Sequence, residues 1–449
     1  MFLMPDTALS LSRTRLHALA ATAITAVLAG CATPPAPVIT SAATPVASPA
    51  PAIANAAPTT APESDPQAVA DSAQYASFAH WKQEFAPRAR AAGISERTLR
   101  SALANAKLQP SIIRLDRAQP EFTRTPWQYL DSAVSAQRIN TGKLKIREAA
   151  AALQSASKRY GVPANVIAAI WGMESNYGSN FGSFSAVDAF ATLAFDGRRA
   201  AWAEKEMIAA LRIIDNGDID AAHMIGSWAG AMGHTQFLPS VFLQYAVDAD
   251  GDGKRDIWGS MADVTASTAN YLASSGWNAG EPWGVEVKLP GGFDYARTEL
   301  SHRQNSTAWA AEGVQSINGQ PLPAMAGASI ITPAGARGPA FMVGSNFRAI
   351  LRYNNSVNYA LGVSLLAQQL GGGSGIVAPW PRDLLAMNRE QTKAMQTALN
   401  QRGFSTGSAD GVMGPATRAG LRQYQQSQGL VADGYPTQEL LERLQSGAQ

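Results

Sequence analysis

Residues 163–178 read PANVIAAIWGMESNYG and place a single carboxylate at the end of a strongly apolar run. Spacings of three, one and three residues put four side chains on one face of a helix: Ile167, Ile170, Trp171 and Glu174. Burial on that face raises the pKa of a carboxyl group toward neutrality, as a general acid working at neutral pH requires. The pattern alone equally allows a Glu174 that merely ends the helix in solvent.

Helical patterns continue on both sides of this segment and predict a mainly α fold. FAHWKQEFAPRARAAG and SERTLRSALANAKL keep apolar residues at three- and four-residue spacing, with Gly93 and Pro110 as stops. REAAAALQSASKRYG predicts a further helix that ends at Gly161, and Pro163 then opens the next helix at its favoured first-turn position. We therefore expect a helical domain that starts near Ser72.

Composition and charge exclude several classes of protein. The 449 residues are 46% hydrophobic, which is typical of a globular chain with two or three domains. The 36 Lys plus Arg and 34 Asp plus Glu leave a net charge of +2, and no basic run indicates a nucleic-acid partner. The single cysteine, Cys31, excludes an intramolecular disulfide and a CxxC metal site.

Residues 1–31 have the three parts of a secretory signal peptide. Arg13 and Arg15 precede an apolar run over residues 16–28, and the small-residue tetrapeptide LAGC follows and ends at Cys31. The apolar run is shorter than the roughly 20 residues that a membrane-spanning helix needs. This segment therefore predicts export across a membrane rather than a permanent transmembrane anchor.

The tetrapeptide LAGC resembles a bacterial lipobox, in which the cysteine is acylated and becomes the first residue of the mature chain. By this resemblance Cys31 carries a lipid anchor, and Ala32 after it implies the periplasmic side of the outer membrane. The alternative is an ordinary signal peptide with an incidental cysteine. The chain up to about Pro66 is almost all Ala, Pro, Thr and Ser, and we predict a disordered linker over residues 32–71.

Three motifs carry a resemblance to a known family: IWGMESNYG at 170–178, GSFSAVDAFATLAFDGRRA at 182–200 and GSWAGAMGHTQFLPSVFLQYAVDADGDGKRDIW at 226–258. They resemble the membrane-bound lytic murein transglycosylase B family. The resemblance implies a lysozyme-like helical catalytic domain over residues 72–371, which cleaves the β-1,4 bond between N-acetylmuramic acid and N-acetylglucosamine in peptidoglycan. It also implies that Glu174 is the catalytic acid and base.

One carboxylate suffices for the chemistry that this resemblance implies. Glu174 protonates the glycosidic oxygen and then deprotonates the 6-hydroxyl of the muramic acid, which closes a 1,6-anhydro ring without water. Intramolecular attack has a large effective-molarity advantage, so no second group has to position a water molecule. Two alternatives stay open: a lysozyme-type hydrolase with Asp188 or Asp196 as its second carboxylate, and a non-catalytic wall-binding lipoprotein.

The same resemblance implies six substrate-binding residues and no cofactor for catalysis. The six are Ser227, Gln236, Arg198, Arg199, Tyr271 and Tyr353. Amide and hydroxyl groups suit a sugar polymer, guanidinium groups suit the carboxylates of muropeptides, and tyrosine rings stack on pyranose faces. The alternative for the arginines is a solvated helix pair, and for the tyrosines a place in the core.

The stretch DADGDGKRD, residues 248–256, matches the start of an EF-hand calcium loop. Positions 1, 3 and 5 are Asp248, Asp250 and Asp252, and Gly253 supplies the sharp turn at position 6. Gly259 stands where a bidentate Glu is expected, and the family resemblance makes Asp263 the later carboxylate. We expect a weak, structural calcium site, and the alternative is an Asp/Gly turn without metal.

A second module follows the catalytic domain. LGGGSGIVAPWP at 370–381 breaks the helical pattern and predicts a linker over residues 372–386. Residues 387–449 predict three helices, and ADGVMGPATRAGLRQYQQSQGLVADG resembles the peptidoglycan-binding domain of many wall enzymes. Such a module keeps a catalyst near its insoluble substrate. We expect a monomer whose partners are peptidoglycan and, through the lipid anchor, the membrane.

Overall fold

The structure is a computed structural model that describes residues 66–117 and 124–446. The predicted signal peptide, Cys31 and the predicted linker up to residue 65 lie outside the described residues. Within the described ranges, no helix is both long enough and apolar enough to cross a bilayer. All the described residues belong to one unit of the chain, 64–449, which contains both the catalytic body and the C-terminal module.

Helices build the first part of the described chain, as the apolar spacing predicts. They are α1 (Pro66–Ala91), α2 (Glu96–Thr98), α3 (Pro110–Arg117), α4 (Pro126–Ala133), α5 (Ala136–Glu148), α6 (Ala150–Tyr160), α7 (Ala164–Ser175), α8 (Ala186–Asp196), α9 (Ala200–Asn216), α10 (Pro239–Tyr245) and α11 (Met261–Ser274). Two short strands, β1 (Phe184–Ser185) and β2 (Ile225–Gly226), pair antiparallel. Gly161 closes α6 in the left-handed conformation, and Pro163 directly precedes α7.

A small antiparallel sheet follows α11, and the sequence patterns did not predict it. Its strands are β3 (Gly284–Lys288), β4 (Gln315–Ser316), β5 (Ser329–Ile331) and β6 (Ala340–Val343), in the order β4-β3-β6-β5. Strands of two to five residues are too short for an alternating pattern to show. Three helices accompany the sheet: α12 (Ser306–Ala311), α13 (Ser345–Tyr353) and α14 (Val357–Leu370). The last two lead the chain back to the helical body.

The helix α7 is buried on nearly all sides, not along one stripe as the spacing suggested. The helices α5, α6, α11 and α14 pack against it, and residues 166–172 are all buried. A helix surrounded in this way is apolar all round, which explains why its sequence is apolar at almost every position. Met173 and Glu174, near its C-terminal end, are half-buried. The helix thus places the Glu174 carboxylate at the edge of the core.

The C-terminal module is a bundle of the three predicted helices. They are α15 (Arg389–Gln401), α16 (Pro415–Ser427) and α17 (Gln438–Ser446). Asn388 and Gln391 form a capping box at the start of α15, and Pro415 occupies the first turn of α16. Met395, Leu399 and other apolar side chains of the three helices form a separate small core.

The predicted second linker is packed against the catalytic body. The Glu286 carboxylate on β3 accepts the backbone N–H groups of Val377 (2.8 Å) and Ala378 (2.7 Å). The ring of Trp380 lies 6.1 Å from the ring of Trp127 on α4. These contacts join the linker to two elements of the catalytic body, so it acts as a fixed connection between the body and the C-terminal module.

A charged clamp joins the C-terminal module to the catalytic body. Glu299 accepts hydrogen bonds from Arg418 Nη2 (2.8 Å) and Arg422 Nη2 (3.0 Å) on α16. Burial alone raises the pKa of Glu299, but the bonds from the two arginines outweigh it and hold the pKa below its ordinary value. Nearby, the Ala336 N–H donates to Asp433 Oδ2 (2.9 Å). The module therefore has one defined orientation on the body.

Replacing Glu299 by Gln is expected to loosen this clamp. Two half-buried guanidinium groups lose their charged partner. A hydrogen bond to a charged group contributes about 1.5–3 kcal/mol to stability. We expect a lower melting temperature and faster cleavage of the linker in limited proteolysis. The control is Glu439→Gln, which breaks an exposed pair with Arg443 inside the module and should change neither readout. Equal behaviour of the two variants would show that the clamp contributes nothing.

Candidate active site

The helix α7 ends in a strained turn directly after the candidate catalytic carboxylate. Asn176 and Tyr177 have φ angles of 48° and 59°, and Gly178 follows at 81°. A non-glycine residue in this left-handed region costs about 1–2 kcal/mol. The Ser175 hydroxyl stabilises the turn because it donates to the His234 carbonyl (3.0 Å) and accepts the Gly178 N–H (3.1 Å). Surrounding contacts therefore hold the turn in a conformation that it does not favour by itself.

The carboxyl group of Glu174 is largely removed from water, although the residue keeps part of its surface exposed. The Tyr359 hydroxyl on α14 donates a hydrogen bond to Glu174 Oε1. Burial raises the pKa of Glu174 to about 7, and the bond from Tyr359 opposes part of this rise because it favours the carboxylate. Both protonation states are therefore populated near neutral pH, as required of a group that first gives and then takes a proton.

Other tyrosines surround this carboxyl group. Burial, and then the charge of Glu174, raise the pKa of Tyr129 and of Tyr353. The Tyr353 hydroxyl donates to the Thr235 carbonyl (2.6 Å), and its ring meets the ring of Tyr271 edge-on at 4.8 Å. The structure thus brings Tyr353 to the site, with Tyr271 packed behind it.

Gln236 and Ser227 lie in the loop that follows β2. Gln236 has a φ of 52°, and its Nε2 donates to the carbonyls of Phe181 (3.1 Å) and Gly233 (2.9 Å). The Ser227 Oγ accepts a backbone N–H from four residues further on (3.1 Å). Neither side chain is bonded to Glu174 in the structure. The described hydrogen bonds leave the Gln236 Oε1 acceptor and the Ser227 hydroxyl donor for other partners.

Arg198 and Arg199 precede α9 and pair with the buried Asp116. Arg198 Nε lies 2.5 Å from Asp116 Oδ2, and Arg199 Nη2 lies 3.0 Å from Oδ1. The hydrogen bond from Arg198 holds the pKa of Asp116 below its ordinary value. The Arg199 guanidinium also stacks on Trp202 at 4.3 Å, and its buried Nε has no hydrogen-bond partner. The two arginines are therefore not a simple solvated pair, and neither is bonded to Glu174.

The two carboxylates considered for a hydrolase have other partners. Asp188 accepts the Lys107 N–H (2.9 Å), and Asp196 accepts a bond from Arg117 (2.5 Å). Within the described residues, the shifted pKa of Glu174 arises from burial and from Tyr359, without the charge of a second carboxylate. This arrangement favours chemistry with one carboxylate.

The acidic loop brings three of its four predicted ligands together. Oxygen atoms of Asp248, Asp250 and Asp252 lie within 4.8 Å of one another. Asp263 is buried at the base of the loop, where its two oxygens accept the N–H groups of Ala249 and Asp256 (2.7 Å each). Three clustered carboxylates suit a hard cation such as Ca²⁺. Asp263 therefore also stabilises the loop through these two backbone hydrogen bonds.

A family model described as the transglycosylase SLT domain matches residues 77–368. The chain belongs to this transglycosylase family. A second model, a peptidoglycan-binding domain, matches residues 388–444 of the transglycosylase. These matches confirm the predicted lytic transglycosylase activity on peptidoglycan and the lysozyme-like, mainly α fold.

Known relatives agree with this assignment. The transglycosylase is 33% identical over 292 residues to the membrane-bound lytic murein transglycosylase B of Escherichia coli strain K12. The matched region covers 62% of this chain and 78% of the relative. It is 49% identical to SltB3 from Pseudomonas aeruginosa, solved in complex with NAG-anhNAM-pentapeptide, with a TM-score of 0.80 over 82% of this chain and 99% of the other. It is 31% identical to the Escherichia coli transglycosylase Slt35, solved in complex with calcium, with a TM-score of 0.56 over 65% and 92%.

Two residues of the site, Tyr359 and His234, are not predicted from the sequence. Tyr359 lies in NFRAILRYNNSVNYALGV, but its helical spacing is that of a core residue, and its side chain is only 5% exposed. His234 lies between Gly233 and Gln236 in GHTQF, where nothing in the local pattern indicates a partner on α7. Both residues acquire their roles through contacts between elements that are distant in the sequence.

Replacing Glu174 by Gln is expected to stabilise the transglycosylase above pH 7. Below about pH 4.5 the group is protonated in both the folded and unfolded chain, so variant and wild type should melt alike. As the pH rises to about 7 the unfolded chain releases this proton while the folded chain retains it, so the wild type loses up to ~3 kcal/mol that the neutral amide keeps.

Thermal unfolding near pH 4 and near pH 8 measures this difference. The matched control is Glu148→Gln on the exposed surface of α5, which should not gain stability with rising pH. A Glu174→Gln variant whose advantage over the wild type is the same at both pH values would contradict the raised pKa.

Proposed function

We propose that Glu174 alone supplies the acid and the base of the lytic reaction. In the first step its protonated carboxyl donates to the glycosidic oxygen, the bond from this oxygen to C1 of the muramic acid breaks, and the N-acetylglucosamine side leaves as an alcohol. In the second step the carboxylate takes the proton of the 6-hydroxyl, and that oxygen bonds to C1. The product carries a 1,6-anhydro ring, no water is consumed, and Glu174 is protonated again.

The observation that supports this role is the balance of two opposed effects on one carboxyl group. Burial favours the protonated form that gives the first proton, and the Tyr359 hydroxyl favours the carboxylate that takes the second. With a pKa of about 7, neither proton transfer starts from a rare state at neutral pH. A hydrolase would need a second carboxylate to activate water, and the other candidates, Asp188 and Asp196, have partners elsewhere.

The substrate-binding assignments rest on polar groups that the fold leaves available. The Gln236 Oε1 and the Ser227 hydroxyl are suited to the hydroxyl and acetamido groups of the glycan. Tyr353 presents an aromatic ring beside the carboxyl group, and Tyr271 supports it from behind. Arg198 and Arg199 are suited to the carboxylates of muropeptides, and the exposed surface that Arg198 keeps beside its pairing with Asp116 supports this assignment.

We also propose a place for the enzyme in the cell envelope. The LAGC tetrapeptide supports acylation of Cys31 and a tether on the periplasmic side of the outer membrane. The name of the membrane-bound Escherichia coli relative agrees with an envelope location. The C-terminal module binds peptidoglycan and holds the catalytic body near its substrate, and the enzyme works as a monomer.

The acidic loop is proposed to bind one structural calcium ion. Asp248, Asp250 and Asp252 provide clustered oxygens, and Gly253 has the positive φ, 88°, that the sharp turn at position 6 requires. The calcium complex of Slt35 supports the choice of metal. The role is structural because no contact joins these carboxylates to Glu174.

Replacing Glu174 by Gln is expected to abolish release of anhydro-muropeptides from purified sacculi. The amide keeps the shape of the side chain but gives no proton to the glycosidic oxygen, and loss of general acid–base catalysis costs at least about 10²–10⁴-fold in rate. Mass spectrometry of the released products measures the outcome. Wild-type products should be lighter by one water than hydrolysis products. Products that have gained water would indicate a hydrolase, and unchanged release by the variant would exclude Glu174 as the catalyst.

Calcium is expected to raise the melting temperature of the wild type in the range of about 10⁻⁴–10⁻³ M, typical of weak extracellular sites. Binding to the folded state alone stabilises it by mass action. Replacing Asp250 by Asn should remove most of the shift, while Asp294→Asn, at an exposed helix cap outside the loop, should retain it. A shift of the same size in the Asp250 variant would place the ion elsewhere.

A further inference from the structure

We propose that His234 is a positioning residue for Glu174: its neutral imidazole bonds the helix before the carboxylate, while its backbone bonds the turn after it. This proposal rests on the proposed role of Glu174 and assigns the control of its placement to one residue outside the reacting groups.

The imidazole is joined to α7 by a hydrogen bond that defines its protonation. The buried Trp171, three residues before Glu174, donates its indole N–H to His234 Nδ1 (2.8 Å). An indole nitrogen is a donor only, so Nδ1 must be unprotonated to accept this bond. The neutral ring therefore carries its proton on Nε2.

The backbone of His234 reaches the other side of the carboxylate. Its carbonyl accepts the Ser175 hydroxyl (3.0 Å), and that hydroxyl in turn accepts the Gly178 N–H of the strained turn (3.1 Å). The ring packs so closely on Gly178 that a Cβ there would lie 2.1 Å from the ring Cε1. The His234 N–H donates to the Ile257 carbonyl (2.9 Å), which holds the residue from behind. One residue thus holds both flanks of Glu174.

Protonation of His234 removes this support. A protonated Nδ1 would place one N–H group directly against the indole N–H of Trp171, and two donors cannot share the bond. The charged groups that face the ring are Asp256, which favours the protonated form, and Lys145 on α5, which opposes it; a backbone hydrogen bond with Trp258 also favours it. Burial outweighs these influences and holds the pKa of His234 below its ordinary value, so the ring is neutral where the enzyme works.

Two limbs of the pH profile follow from this arrangement. On the alkaline side, activity falls as the free enzyme loses the Glu174 proton at about pH 7. On the acid side, activity falls below the ordinary titration range of histidine, as His234 gains a proton and the turn is released. Glu174 remains protonated there, so the acid limb belongs to His234.

The test compares His234→Asn and His234→Leu with the wild type, using soluble peptidoglycan chains as substrate across this pH range. Asn keeps an acceptor near the Nδ1 position and does not titrate, whereas Leu keeps the bulk alone. We expect His234→Leu to lower kcat at pH 7 by about 10- to 100-fold with a smaller change in KM, as small misplacements of catalytic groups do. His234→Asn should recover part of this loss and lack the acid limb. The control His223→Asn alters an exposed histidine paired with Asp220 and should keep the acid limb.

An acid limb that persists unchanged in His234→Asn would overturn the proposal, and so would a His234→Leu enzyme with wild-type kcat. Should the Leu variant fail to fold, the ¹⁵N resonances of His234 in the wild type still report its tautomer. A protonated Nε2 with an unprotonated Nδ1 supports the proposal, and the opposite tautomer overturns it. Glu174→Gln separates the two claims. If that variant is active, the proposed catalyst is wrong; if it is inactive while His234→Asn retains the acid limb, the positioning role alone is wrong.

Discussion

The structure depends on keeping one carboxyl group out of water at the end of a buried helix. Isolated burial of a charged carboxylate is costly, and the protein limits that cost by letting Glu174 keep its proton to about pH 7 and by offering its anion the Tyr359 hydroxyl. The helices packed around α7 create the low-polarity surroundings. The same packing that stabilises the fold therefore also sets the protonation state on which the chemistry depends.

Contacts from the rest of the fold hold strained backbone in place around Glu174. Among the described residues, the non-glycine positions with positive φ are Asn176, Tyr177 and Gln236, and all three belong to the turn after α7 or to the loop beside it. Such conformations persist only where neighbouring contacts over-determine them. Here the contacts come from Ser175 and His234, and the buried core behind them supplies the rigidity. The strained turn fixes the position of the Glu174 side chain, which suits a reaction that relies on one carboxylate.

Local patterns predicted the features that arise from nearby residues. Each of these features depends on residues that are close together in the sequence, so spacing and turn residues predict it. They are the burial of the Glu174 helix, the turn at Asp248, Asp250 and Asp252, and the three C-terminal helices. The missed features are contacts between distant parts of the chain. Tyr359 lies 185 residues from its partner Glu174, and Arg418 lies 119 residues from Glu299. Such pairs leave no period in the sequence, because only the tertiary fold brings them together.

A titration of the Glu174 carboxyl itself tests its role as the proton donor most directly. The carboxyl ¹³C resonance of glutamate-labelled enzyme, assigned by its absence in Glu174→Gln, reports the protonation of this group at each pH. We expect a midpoint near pH 7 in the folded enzyme. A midpoint near 4.5, the ordinary value for glutamate, would show that the carboxyl is solvated and would contradict the central claim.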